Sequence, residues 1–114
     1  MIYTGVLYPD SASYDCNEVL TQMSTRFSEW AYVLHDKDVH PNGSQVRPHY
    51  HWAVRAIPLI GYSDVMFAMG LPFYYNSVEI VRSGWRTVLR YMTQVDFPNR
   101  VQYVDSLVTS SGLK

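Results

Sequence analysis

Hydrophobic and polar positions change period several times along the chain, and each change predicts an element. Ile2 to Tyr8 is short, rich in β-branched and aromatic residues and closed by Pro9-Asp10-Ser11, which reads as a strand. Asn17 to Phe27 carries apolar residues at Val19, Leu20, Met23 and Phe27, a spacing that gathers them on one helical face. Glu29 to His35 returns to strand composition, and so does His49 to Ile57; the polar loop between them contains Pro41-Asn42-Gly43, so the two are expected as antiparallel neighbours. Ser63 to Met69 reads as a short helix with Ser63 as N-cap, stopped by Gly70 and Pro72. Ser77 to Arg82 is a further strand. Ser83 can then cap a helix from Gly84 to Gln94 with Trp85, Val88, Leu89 and Met92 on one face. Asp96 to Tyr103 reads as a turn and a short strand, and Leu107 to Lys114 as a frayed tail. The order β-α-β-β-α-β-α(-β) predicts an α+β fold, an antiparallel sheet with packed helices in the ferredoxin or RRM-like style.

Alternation along the two central strands makes the first chemical prediction. His49 and His51 project to one side of their strand, while Tyr50, Trp52 and Val54 project to the other, the expected core side. On the partner strand Ala31, Val33 and His35 share a face, so His35 can sit beside the His49/His51 pair. Asp38 follows three residues later, close enough to bend back as an oxygen ligand. His35, Asp38, His49 and His51 thus form a candidate mixed nitrogen and oxygen site for a divalent cation. All four histidines fall within 17 residues, but His40 lies further into the loop and is expected to be a solvated side chain. A cupin-type site would also start from His-X-His, yet it expects a Glu about four residues on, and position 55 is Arg.

Composition sets the bounds. The 114 residues, 47% hydrophobic, suffice for one core without a structural metal. Cys16 is the single cysteine, which excludes an internal disulfide and a cysteine zinc cage. There is no signal-peptide pattern at the N-terminus and no apolar run of membrane-spanning length, so a cytoplasmic location without membrane contact is expected. The net charge of −1 gives no global sign of a nucleic-acid partner. It hides an asymmetry: residues 1–46 hold two basic and six acidic side chains, residues 47–114 seven basic and four acidic.

Two stretches carry a family resemblance. Leu34-His35-Asp36-Lys37-Asp38, followed by Arg47-Pro48-His49-Tyr50-His51, resembles the RepB-type replication initiators of rolling-circle plasmids, a branch of the HUH endonucleases whose motif is two histidines flanking a bulky hydrophobic residue. Arg90-Tyr91-Met92-Thr93-Gln94, with Asp96-Phe97-Pro98 and Gln102-Tyr103 after it, is similar to the family's Tyr-Leu-Thr-His block and the segment that follows. The likeness runs from about Tyr3 to Tyr103. It implies a nuclease domain over residues 1–106 and, over 107–114, either a C-terminal tail or the start of a linker, since family members usually continue into an oligomerisation or helicase-type region; a small native protein and an isolated catalytic domain both fit.

The implied activity is metal-dependent nicking and strand transfer on single-stranded DNA at an origin hairpin, with Mn²⁺ or Mg²⁺ the expected cation. Tyr91 would be the nucleophile, leaving a 5′-phosphotyrosyl link and a free 3′-OH. Tyr103 is its rival; Tyr74 and Tyr75 read as packing residues. A phenol with a pKa near 10 needs polarising before it attacks. Arg47, Arg55, Arg82, Arg86, Arg90 and Gln94 are the candidate DNA contacts. Gln94 departs from the titratable or basic residue that relatives place there, so no proton-transfer role carries over to it. Two other readings stay open: a non-catalytic RRM-like binding module, and a metal-dependent phosphodiesterase that uses bound water.

Overall fold

The computed structural model describes residues 1–56, 61–71, 78–94, 103 and 109–111. The elements follow one another as β1 (Ile2–Leu7), α1 (Cys16–Arg26), β2 (Glu29–His35), β3 (His49–Arg55), α2 (Tyr62–Met69), β4 (Glu79–Val81), α3 (Trp85–Thr93) and β5 (Thr109–Ser110). The fold is α+β, and its first six elements have the ferredoxin-like order. The strands form one antiparallel sheet ordered β4-β1-β3-β2-β5. β2 pairs with β3 as expected, His35 opposite His49 and Val33 opposite His51. The other edge of β3 is taken by β1, with Val6 opposite His51 and Thr4 opposite Ala53.

Both faces of the sheet are covered. Tyr3, Leu7, Trp52 and Val54 pack with Val19, Leu20 and Met23 of α1 and Val65 and Met69 of α2. On the opposite face Ile2, Ala31, Val33 and Ala53 meet Trp85, Val88 and Met92 of α3, together with Tyr103. The histidine face is therefore half core and half site: α3 covers one end and leaves the His35/His49/His51 end open to a cavity.

Local chemistry explains the element ends. Asp15 caps α1 by accepting the Glu18 N–H at 3.2 Å. Gly70 closes α2 in a left-handed conformation, φ +74°, with Leu71 N–H donating to the Met66 carbonyl. Two predicted caps are corrected. α2 starts at Tyr62 from Gly61, whose N–H donates to Asp64 Oδ2, so Ser63 is already inside the helix. α3 starts at Trp85 from Gly84, one residue after Ser83, and stops at Thr93 because Gln94 turns left-handed. The frayed tail expected from Leu107 is also corrected, at Thr109–Ser110. These residues pair with Ala31 and Tyr32 on the open edge of β2, and Ser111 locks to Trp30 through both its N–H and its Oγ. The predicted strand over Asp96–Tyr103, apart from Tyr103, and the residues Tyr74, Tyr75, Ser77 and Gln102 lie outside the described residues.

Candidate active site

Pairing in register brings the ligand candidates together. His35 ends β2 directly across from His49, which begins β3; their rings meet edge-on at 5.3 Å between centroids. His51, two residues on and so on the same face, lies 5.8 Å from the His35 ring. Asp38 returns from the loop to place Oδ2 3.8 Å from His35 Nδ1. One ligand atom each from His35, Asp38 and His49 falls within 4.8 Å of the others. His51 stands beside this trio instead of within it, and exposed His40 stays in the loop, where its backbone hydrogen-bonds Ser44 and Gly43.

Hydrogen bonds settle which ring nitrogens are available. His35 Nε2 lies 2.8 Å from the Met92 carbonyl, and a carbonyl can only accept, so Nε2 carries the proton. In the neutral ring Nδ1 then holds the lone pair, on the side of Asp38. His49 Nδ1 donates in the same way to the Arg47 carbonyl at 2.9 Å, which leaves Nε2 with the lone pair. Carbonyl-oriented imidazoles of this kind are typical supports for a metal ligand. Burial lowers the His35 pKa below its ordinary value, with Met92 and Asp38 pulling the other way. Burial, followed by the neighbouring His35 and His49, brings His51 down to about 4. Neutral imidazoles and a carboxylate could hold a divalent cation, and this donor set suits borderline or hard ions better than soft ones.

The second component comes from α3. Tyr91 is 47% exposed, and its ring stands edge-on to His51 at 5.3 Å and 82°. Trp85, Val88 and Met92 anchor the helix in the core, so the flank bearing Tyr91 is presented at the cavity mouth. The cavity, about 500 Å³, is lined by His35, Asp38, His49, His51, Tyr91 and Gln94 together with side chains from β1, β4 and the start of α3. Tyr103 is 2% exposed, stacks on His35 at 4.3 Å and donates its hydroxyl to Asp38 Oδ1 at 2.9 Å. Burial, with Asp38 taking that proton in a hydrogen bond, pushes its pKa up to about 12. Such a phenol supports the site and is badly placed to attack anything. Gln94 is likewise buried, with Nε2 3.0 Å from Asp38 Oδ1.

The predicted DNA contacts divide. Arg47 lies over the Tyr8 ring at 3.8 Å and pairs with Asp10. Arg55 shares the histidine face, near Trp85, but pairs with Glu29 and sits four residues down β3 from His51, roughly 13 Å along the strand. Neither lines the cavity. Arg82, Arg86 and Arg90 are exposed on α3 and on the approach to it. Reasoning from sequence missed Thr4, Val6, Glu79, Ser83 and Thr87, which complete the cavity wall. The available signal was alternation on β1: Thr4 and Val6 share the His51 face, and Glu79 is paired across from Thr4.

Comparison with known proteins adds a family. Over residues 1–113 the chain matches the family described as plasmid replication protein, origin binding domain. It is similar to a replication protein of Staphylococcus aureus, 27% identical over 101 residues covering 89% of this chain and 49% of the relative. It is also similar to the replication protein RepB of Lactiplantibacillus plantarum, 26% identical over 117 residues covering 94% of this chain and 46% of the relative. The chain thus spans about half the length of these curated relatives.

Proposed function

The chain belongs to the origin-binding-domain family of plasmid replication proteins, and from that premise we propose that it nicks single-stranded DNA at a plasmid origin with Tyr91 as nucleophile. The observation that carries the reading is the meeting of Tyr91 and His51 on the cavity that also receives His35, Asp38 and His49. A phosphodiester seated there would have an exposed phenol on one side and a set of metal-ligand side chains on the other. His35, Asp38 and His49, with His51 beside them, would hold the divalent cation, whose chemistry when bound is to stabilise charge developing on the non-bridging phosphate oxygens.

Tyr91 supplies the covalent step. Its hydroxyl oxygen attacks phosphorus and gives up its proton, the bond to the 3′ oxygen breaks, and that oxygen takes up a proton as the 3′-OH. The product is a 5′-phosphotyrosyl link plus a primer end. The link keeps the phosphodiester, so a later 3′-OH can reverse the step and join a strand. Arg82, Arg86 and Arg90 would track the DNA backbone beside the cavity.

The test mixes the protein and Mn²⁺ with labelled single-stranded oligonucleotides spanning candidate origin hairpins, followed by a denaturing gel. A covalent adduct is expected from the wild type, none from Tyr91→Phe, and none from His49→Ala. An adduct that persists in Tyr91→Phe sinks the assignment. Cleavage without an adduct would select the water-using phosphodiesterase, and binding without cleavage the non-catalytic module.

A further inference from the structure

Gln94 combines three unusual properties. At φ +61° it is the only left-handed residue other than glycine among the described residues. Such a backbone costs a non-glycine residue about 1 kcal/mol or more, which is why a left-handed helix cap is usually Gly, as at Gly70 in this same chain. It is also only 5% exposed. The strained conformation puts the side-chain amide against Asp38, where Nε2 donates to Oδ1 at 3.0 Å. From the other side the Tyr103 hydroxyl donates to the same oxygen at 2.9 Å. Two donors account for the lone pairs of Oδ1. Oδ2 is the oxygen turned toward His35 Nδ1.

We propose that Gln94 is a positioning residue for Asp38: the left-handed cap of α3 sets its amide on Oδ1, so that amide and Tyr103 hydroxyl together commit Asp38 to one-oxygen ligation through Oδ2. This inference rests on the reading of His35, Asp38 and His49 as a metal site. Both donors are uncharged, so they fix the carboxylate without adding positive charge beside the cation. The same residue ties Asp38 to the helix of Tyr91, because the Gln94 backbone N–H donates to the Tyr91 carbonyl at 3.1 Å.

The experiment measures Mn²⁺ affinity by titration calorimetry and, separately, the thermal midpoint in EDTA, for wild type, Gln94→Asn, Gln94→Met and Tyr103→Phe. Asn tolerates the left-handed backbone better than Gln, but its amide stops roughly 1.5 Å short. If Gln94 were merely a cap, Gln94→Asn would hold or raise the midpoint and leave Mn²⁺ affinity alone. As a positioning residue it should hold the midpoint and lose about tenfold or more in affinity, in line with other metal-supporting side chains. Gln94→Met, which keeps length and packing, should show the same loss, and so should Tyr103→Phe on the same oxygen. Affinities within threefold of wild type in both Gln94 variants overturn the proposal while the metal site stands. A wild type that does not bind Mn²⁺ removes the site and the proposal together.

Discussion

Two tyrosines with opposite surroundings make the sharpest prediction, that Tyr103→Phe spares the chemistry which Tyr91→Phe abolishes. The Tyr103 hydroxyl accepts the Lys37 N–H at 3.0 Å and donates to Asp38 Oδ1 at 2.9 Å, while its ring stacks on His35. Phenylalanine keeps the stack and removes both hydrogen bonds. Lys37 is exposed and the Asp38 side chain is 20% exposed, so water can replace part of what is lost. The loss of stability should then be near the low end for two bonds, about 1–2 kcal/mol. For a domain of this size that is a fall of roughly 4–10 °C in thermal midpoint. In the gel assay Tyr103→Phe should form less adduct at limiting Mn²⁺ and recover it at saturating Mn²⁺, because its nucleophile is untouched. Tyr91→Phe should form none at any metal concentration, with a midpoint close to wild type, since that ring is half exposed. Loss of the adduct in Tyr103→Phe at saturating metal would refute this division of roles.

Three further outcomes are expected. In EDTA the folded His51 has a pKa near 4 against about 6.5 unfolded, so the unfolded chain protonates first as pH falls; stability should be whole above pH 6.5 and decline by up to roughly 3 kcal/mol on approaching pH 4, and urea melts of His51→Gln should show a flatter acid limb. Alanine at Arg82 or Arg86 should weaken single-stranded DNA binding and reduce its salt slope by about 0.7 each, whereas alanine at Arg47 or Arg55, paired with Asp10 and Glu29, should leave the slope nearly unchanged. His35→Ala and His49→Ala should both lose Mn²⁺, but only the first should also lower the apo midpoint clearly, because His35 alone is buried, stacked on Tyr103 and bonded to Met92.

How much of this was legible in the sequence depends on the range of the cause. Period-two alternation is local, so the strand Glu29–His35 was found to the residue, and the shared face of His35, His49 and His51 followed from it. The apolar stripe Trp85, Val88, Leu89 and Met92 likewise placed α3 on the sheet, with Tyr91 on its flank. The position of β1 beside β3 is a tertiary choice with no local marker, and with it went Thr4, Val6 and Glu79. Serine preference pointed at Ser63 and Ser83 as caps, but Asp64 reaching back to the Gly61 N–H won at the first site. Gln94 was the hardest to read: glutamine carries no signal for a left-handed backbone, and the anchor that holds it, Asp38, is 56 residues away. Charge was misleading in a similar way. Arg47 and Arg55 count toward the basic half of the chain but spend their charge on acidic partners within the fold.

The end of α3 shows how Tyr91 and the candidate ligand cluster are tied together. A helix leaves its last carbonyls without intrahelical donors, and they must find others. Here the Tyr91 carbonyl takes the Gln94 N–H, the Met92 carbonyl takes His35 Nε2, and the Thr93 carbonyl takes the Tyr103 N–H at 3.0 Å. All three donors belong to residues that also touch the candidate metal site: His35 as a proposed ligand, Gln94 and Tyr103 as hydrogen-bond donors to Asp38. The helix end orients the cluster, since the Met92 carbonyl fixes which nitrogen of His35 is free. The cluster in turn caps the helix that carries Tyr91. Neither can shift without breaking bonds to the other, so the backbone at the end of α3 and the candidate ligand cluster are held in one register. That preorganisation is what the in-line attack proposed for Tyr91 would require.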